Sequence, residues 1–140
     1  MTLAHLEATW GGESGREPGR FKLPRYVCAL PDGAGVCVAD TGNRRLQMLK
    51  PDGSGATCIC DDGTLRGPSG LECDGKFLYV VDAGEHCVLK LSAELDEESR
   101  TDEAQTVLGR AGRHGSRSPQ DLWCPQDVAI SKRFASEVKE

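Results

Sequence analysis

Apolar residues along this chain come in runs of three to five, and each run is cut by a turn signal. The runs Tyr26–Ala29 and Val36–Ala39 are joined through Pro31-Asp32-Gly33. Leu46–Leu49 follows Asp40-Thr41-Gly42-Asn43, and Ala56–Cys60 follows Pro51-Asp52-Gly53. In such turns Pro presets φ, Asp bonds its own backbone and Gly takes positive φ without a Cβ clash. The runs are too short for helices and rich in β-branched residues, which predicts strands. A second set, Leu71–Cys73, Phe77–Val81, Val88–Leu91 and Thr106–Leu108, predicts four more. Val36–Ala39 and Phe77–Val81 are apolar almost throughout, so both are expected to be covered on two faces.

The two sets are copies. The stretch 21–49, FKLPRYVCALPDGAGVCVADTGNRRLQML, aligns with 65–91, LRGPSGLECDGKFLYVVDAGEHCVLKL. Pro24 and Pro68 lie 44 residues apart, and Asp40 and Asp82 lie 42 apart. A third copy opens at LWCPQDVAIS (122–131) with Pro125 in the leading place, after a longer spacing that holds an insert at 92–104. A period in the low forties, with four short strands per period, marks a repeat architecture whose sheets are covered by their neighbours. The expected division is a strand of an incomplete unit in 1–10, a first repeat in 11–62 and a second in 63–109. Residues 110–140 then hold the start of a third repeat and a tail. The spare strands are Leu6–Trp10, matching a fourth strand, and Asp127–Ile130, matching a first.

At this point the residues carry a family likeness. The order G-x-F-x-x-P, a buried strand, VADTGNRRLQML and then Pro-Asp-Gly resembles the NHL repeat over about residues 11–131. In the second copy Glu85 and Cys87 replace the Asn and Arg of the motif. The resemblance implies an all-β fold of NHL-type β-propeller blades, each a four-stranded antiparallel sheet. Two full blades and two spare strands make an incomplete ring, since propellers close with about four to eight. Such a wedge implies self-association through open blade edges, or a ring completed by other chains. An unrelated β-sandwich is the alternative, disfavoured by the co-aligned Pro, Asp and Gly.

Composition narrows the function classes. The chain has 140 residues, 28% charged and 38% hydrophobic, with a net charge of −5. No apolar run is long enough to cross a bilayer as a helix, and the N-terminus lacks the basic and apolar regions of a secretory signal. Seven cysteines are an odd number and include no C-x-x-C. Reduced thiols packed as small hydrophobes are therefore expected, in a cytoplasmic or nuclear protein. Cys58-Ile59-Cys60 places two thiols on one predicted strand face, but no second pair exists to complete a metal site.

In a four-stranded meander the second-to-third turns and the links between sheets share one end. That end carries Asn43, Arg44, Arg45, Arg66, Glu85, His86, Arg110 and Arg113, the candidate protein-binding residues, together with Arg16, Arg20, Lys22, His114 and Arg117. The opposite end carries Asp32, Asp52, Asp74 and the acidic insert. Some NHL relatives bind RNA on a basic end, so RNA is the alternative partner, weakened here by few aromatic platforms and by interspersed acids. A zinc-dependent lyase with similar blades uses one His per blade, but Arg44 stands where His86 would need its counterpart. No nucleophile elbow, P-loop or zinc-protease motif is present. Asp40 and Asp82 are expected to cap the turns that follow them. Other NHL propellers recognise substrates for RING ubiquitin ligases, and this sequence has no RING. The expectation is a non-catalytic interaction module with no cofactor and no metal, contacting ubiquitin-ligase substrates or components, in a setting of polyubiquitination and proteasomal degradation. A non-functional truncated propeller is the remaining alternative.

Overall fold

A computed structural model of the chain describes residues 9–93, 105–109 and 122–131. Eight strands form two four-stranded antiparallel sheets. The first contains β1 (Tyr26–Ala29), β2 (Val36–Asp40), β3 (Arg45–Leu49) and β4 (Ala56–Ile59), in chain order. The second contains β5 (Pro68–Cys73), β6 (Phe77–Asp82), β7 (Cys87–Ser92) and β8 (Gln105–Gly109), also in chain order. Every strand expected within the two repeats is present, with boundaries shifted by three residues at most. The two sheets stay open and do not close on each other.

Strand alternation sorts the side chains. In the first sheet Cys37 pairs with Met48, Ala39 with Leu46 and Leu46 with Ile59, which puts these residues on one face. That face meets Leu71, Leu78, Val80, Leu89 and Leu91 of the second sheet in a single apolar cluster. The cluster is almost fully dry: Cys37, Leu46, Leu78 and Val80 have no exposed surface. Burying a side chain of this size stabilises a fold by about 1.5–3 kcal/mol. The faces that meet are not equivalent. The face of the second sheet carrying Asp82 packs on the face of the first that lies opposite Asp40.

The outer face of the first sheet is covered in part by the segment leading into it. Trp10 lines a cavity with Ala29, Val36 and Leu49, while Gly19 and Arg20 bond to Gln47. On the far side of the second sheet, residues 124–130 lie along β5. Ser69 Oγ donates to the Pro125 carbonyl at 3.3 Å, and Tyr26 Oη donates to Asp127 Oδ2 at 3.2 Å. Gly70 makes that approach feasible, because a Cβ there would sit 2.8 Å from the Asp127 Cα.

Three expectations are corrected. Asp127–Ile130 forms no strand and pairs with none of the described strands. Thr9 and Trp10 belong to none of the described strands, and Leu6, Glu7 and Ala8 of the expected strand fall outside the described residues, as do residues 94–104 of the acidic insert. Cys58 and Cys60 do not share a face. Cys60 takes a left-handed φ of 54° just after β4 and turns its thiol toward the core, away from Cys58.

The copies also repeat their tight spots. Gly42 and Gly84 are equivalent by sequence, and both press against the chain entering their own sheet. A Cβ would lie 2.6 Å from the Lys22 carbonyl oxygen at Gly42 and 2.8 Å from the Arg66 Cβ at Gly84. Gly42→Ala and Gly84→Ala should each lower unfolding stability by about 1–3 kcal/mol, read by urea denaturation. Gly55→Ala, where a Cβ meets nothing, should change it by less than about 0.5 kcal/mol.

Candidate functional site

The turns after β2 and β6 lie at one end of the two sheets, with the segments that enter β1 and β5. Both turns pass through a left-handed residue at the same repeat position, Arg44 at φ 57° and His86 at φ 58°. Each turn is organised by the Asp that ends the preceding strand. Asp40 and Asp82 are both fully buried, and each carboxylate accepts four hydrogen bonds.

The donors differ. Asp82 is served by backbone alone: Arg66 N and Gly67 N, at 2.8 Å each, and Gly84 N and Glu85 N, at 3.0 and 3.1 Å. It caps its own following turn, as expected, and also the incoming chain. Asp40 takes one backbone donor, Lys22 N at 2.7 Å. Its others are side chains: Asn43 Nδ2, Arg45 Nε and Gln47 Nε2, at 2.9, 2.9 and 3.0 Å. The expected cap of the following turn is therefore made at Asp82 but replaced at Asp40.

This difference explains why the second copy departs from the motif. Arg45 and Gln47 point to the outer face, where they hold the leading segment through the carbonyls of Glu17 and Arg20. Their counterparts in the second sheet, Cys87 and Leu89, face the apolar core, where a guanidinium would have no such acceptors.

The candidate residues consequently divide. Asn43 and Arg45, expected at the surface, are buried at 7% and 1% exposure. Arg45 also bonds Asp61 Oδ2 at 3.3 Å. Burial works against its charge, yet the hydrogen bonds it donates to Asp40 and Asp61 and the charges beside it together outweigh that and hold the guanidinium above its ordinary value. These two residues brace the fold and offer nothing to a partner. Arg44 and Arg66 are exposed, and Glu85 and His86 are half-buried. Arg66 Nε pairs with Glu85 Oε1 at 3.3 Å. Arg110 and Arg113 fall outside the described residues.

The structure adds one residue, Trp123, to the candidate residues at this end. Trp123 is 65% exposed, and its ring stands 6.2 Å from that of His86, tilted by 43°. His86 Nδ1 in turn accepts from Cys124 N at 3.0 Å. The repeat register contained the signal, because Trp123 stands two residues before Pro125 as Lys22 stands before Pro24. Arg44, Arg66, Glu85, His86 and Trp123 thus share one end.

The basic character of this end is largely cancelled. Arg16 binds Asp61, and Arg20 pairs with Glu13 at 3.2 Å and lies near Glu17. Among the described residues, Lys22 and Arg44 have no carboxylate partner. At the opposite end Asp52 is held below the usual carboxylate range by the hydroxyl and amide of Ser54. Burial pushes Asp74 up, but the amides of Phe77 and Lys76 outweigh it and leave the group below its ordinary value.

The seven cysteines form no disulfide. Burial, then the nearby Cys73 and Glu72, pushes Cys28 up to about 12. Burial and the Asp82 carboxylate push Cys87 up to about 11, and Cys37 lies well above its ordinary value. No group of three His, Cys, Asp or Glu side chains among the described residues is placed to hold a metal ion. No helix among them is long and apolar enough to cross a membrane. No protein-family model matches the chain, and no curated protein matches it.

Two outcomes follow from this geometry. Asp40→Ala should cost about 3–5 kcal/mol in a urea titration, because it strands the buried Arg45 charge. With native protein at pH 8, Cys28, Cys37 and Cys87 remain protonated and should resist iodoacetamide, whereas the exposed Cys124 is alkylated first. Mass mapping of the labelled peptides reads the order, and it is lost when the chain is unfolded before labelling.

Proposed function

We propose that the chain is a non-catalytic, NHL-type propeller module that binds protein partners through the end formed by Arg44, Arg66, Glu85, His86 and Trp123. The observation that carries this reading is the clustering of an exposed Trp with charged side chains on turns braced by buried carboxylates. Large aromatic and Arg side chains on rigid supports are the usual anchors of protein contacts. The propeller reading is supported by two repeat-equivalent sheets stacked face to face and by the segment 124–130 beside the second. The setting we propose, substrate or component recognition in ubiquitin transfer, rests on the resemblance of FKLPRYVCALPDGAGVCVADTGNRRLQML to NHL repeats.

Protein is favoured over RNA by the local charge balance. Phosphate recognition needs several uncommitted cations on one surface, and Arg16, Arg20 and Arg66 each have a carboxylate beside them. Trp123, the one exposed aromatic ring among the described residues of this end, is a poor platform for successive bases.

The test compares wild type with Arg44→Glu/Trp123→Ala, both at exposed positions, so the fold should be retained by circular dichroism. Quantitative affinity capture should recover ubiquitin-ligase substrates or components with wild type and lose at least about tenfold of them with the variant. Equal recovery by both removes this end as the binding site. A fluorescent single-stranded RNA should show no salt-dependent anisotropy change, and a steep salt dependence would replace the protein reading with the RNA one.

A further inference from the structure

Among the described strands, Cys28 of β1 and Cys37 of β2 are the only two thiols that stand directly opposite each other. Cys58 faces Gln47, Cys73 faces Leu78 and Cys87 faces Asp82. Direct partners in an antiparallel pair project to the same face, and here it is the face that packs on the second sheet. Cys37 is fully buried there, while Cys28 is half-buried and gives the pair its access to solvent.

The ladder fixes how far apart the two strands hold these thiols. Leu30 N donates to Gly35 O at 2.9 Å, and stepping back by two along the hairpin makes Cys28 and Cys37 a hydrogen-bonded pair. The Cα atoms of such a pair lie about 5.5 Å apart, and the Cβ atoms about as far. A disulfide needs Cβ atoms about 3.5–4.5 Å apart. A direct S–S bond would draw the strands together, whereas one atom bridging the two sulfurs leaves the ladder as it is.

The bridging atom must also leave no charge behind. The face is apolar, and an unpaired charge on it is costly. Burial, then Cys73 and Glu72, keeps Cys28 protonated, and burial with the neighbouring thiols does the same for Cys37. Two thiolates around a soft monovalent ion such as Cu(I) would carry a net negative charge. A trivalent arsenic centre bound to two sulfurs is neutral.

We propose that Cys28 and Cys37 form a two-thiol binding site for trivalent arsenicals, with one As–S bond to each strand. With an arsenical of the form R–As(OH)2, two S–H and two As–O bonds break, two As–S bonds form, and two waters leave. Arsenic stays trivalent and neither sulfur is oxidised, so no oxidant is consumed. Once Cys28 has reacted, Cys37 meets the same arsenic within one molecule, at a high effective concentration. Iodoacetamide offers a single bond and waits on a thiolate, so the pair resists it and still takes an arsenical. The site lies toward the Pro31–Gly33 turn, at the opposite end from Arg44. Its failure and that of the protein-binding end are therefore read separately.

The probe is phenylarsine oxide, mixed with the full reduced chain at pH 7 in excess glutathione, a single-thiol competitor. Native mass spectrometry should find one arsenical per chain, and dithiothreitol should remove it. Cys28→Ser and Cys37→Ala should each weaken retention at least about a hundredfold, while Cys58→Ser, Cys73→Ser and Cys124→Ser bind as wild type does. Circular dichroism checks that each variant is folded. Should Cys37→Ala unfold, the wild type decides alone. Trypsin cuts after Arg25 and Arg44, and the arsenical should be found on peptide 26–44, which holds both thiols and no other. Release by glutathione alone, an arsenical carried by any other peptide, or a loss with Cys73→Ser as large as with Cys28→Ser overturns the proposal. Equal retention by wild type and Cys28→Ser overturns it too.

Discussion

A backbone amide that enters a sheet just ahead of its first strand has no ladder partner, and once covered it needs an acceptor. In both sheets that acceptor is the carboxylate ending the second strand. Asp40 and Asp82 sit out of water, where an unserved charge would be prohibitive, and four donors serve each of them. The consequence is geometric. Each carboxylate ties the incoming chain, the second strand and the turn beyond it into one unit, and the close contacts at Gly42 and Gly84 leave that unit no slack.

Stacking then follows from what each unit leaves uncovered. A four-stranded sheet of short strands cannot bury both faces alone, and here the two sheets share one apolar layer. Their remaining faces are treated differently. The outer face of the first is polar where the leading segment crosses it, so Arg45 and Gln47 can hold backbone carbonyls there. The corresponding positions of the second sheet lie in the shared core and carry Cys87 and Leu89. A motif residue lost between copies is therefore a change of neighbour, and the carboxylate keeps its count of donors by recruiting backbone amides.

The same bracing shapes the end at which the turns gather. Because Asn43 and Arg45 are spent on Asp40, the side chains that reach solvent are those one step away or in the other copy: Arg44, Arg66, Glu85 and His86. Trp123 joins them only because the third copy begins where the second turn ends, with His86 Nδ1 accepting from Cys124. The acidic opposite end is quieter, since Asp52 and Asp74 close their own hairpin turns.

Sequence alone determined the strands of both repeats, their order and the turns between them, because short apolar runs cut by Pro-Asp-Gly and Asp-Thr-Gly-Asn are local signals. It also showed that Asp40 and Asp82 occupy equivalent places and that 125–130 repeats the opening of each copy. Which way a side chain turns was decided by tertiary structure. Asn43 and Arg45 read as surface residues because nothing local shows that a segment more than twenty residues upstream folds over them. Cys58 and Cys60 read as neighbours until a left-handed residue separates them, and only the fold brings the Trp123 ring beside His86. Alternation along a strand says that two faces exist, and only the packing of one sheet on another says which of them is dry.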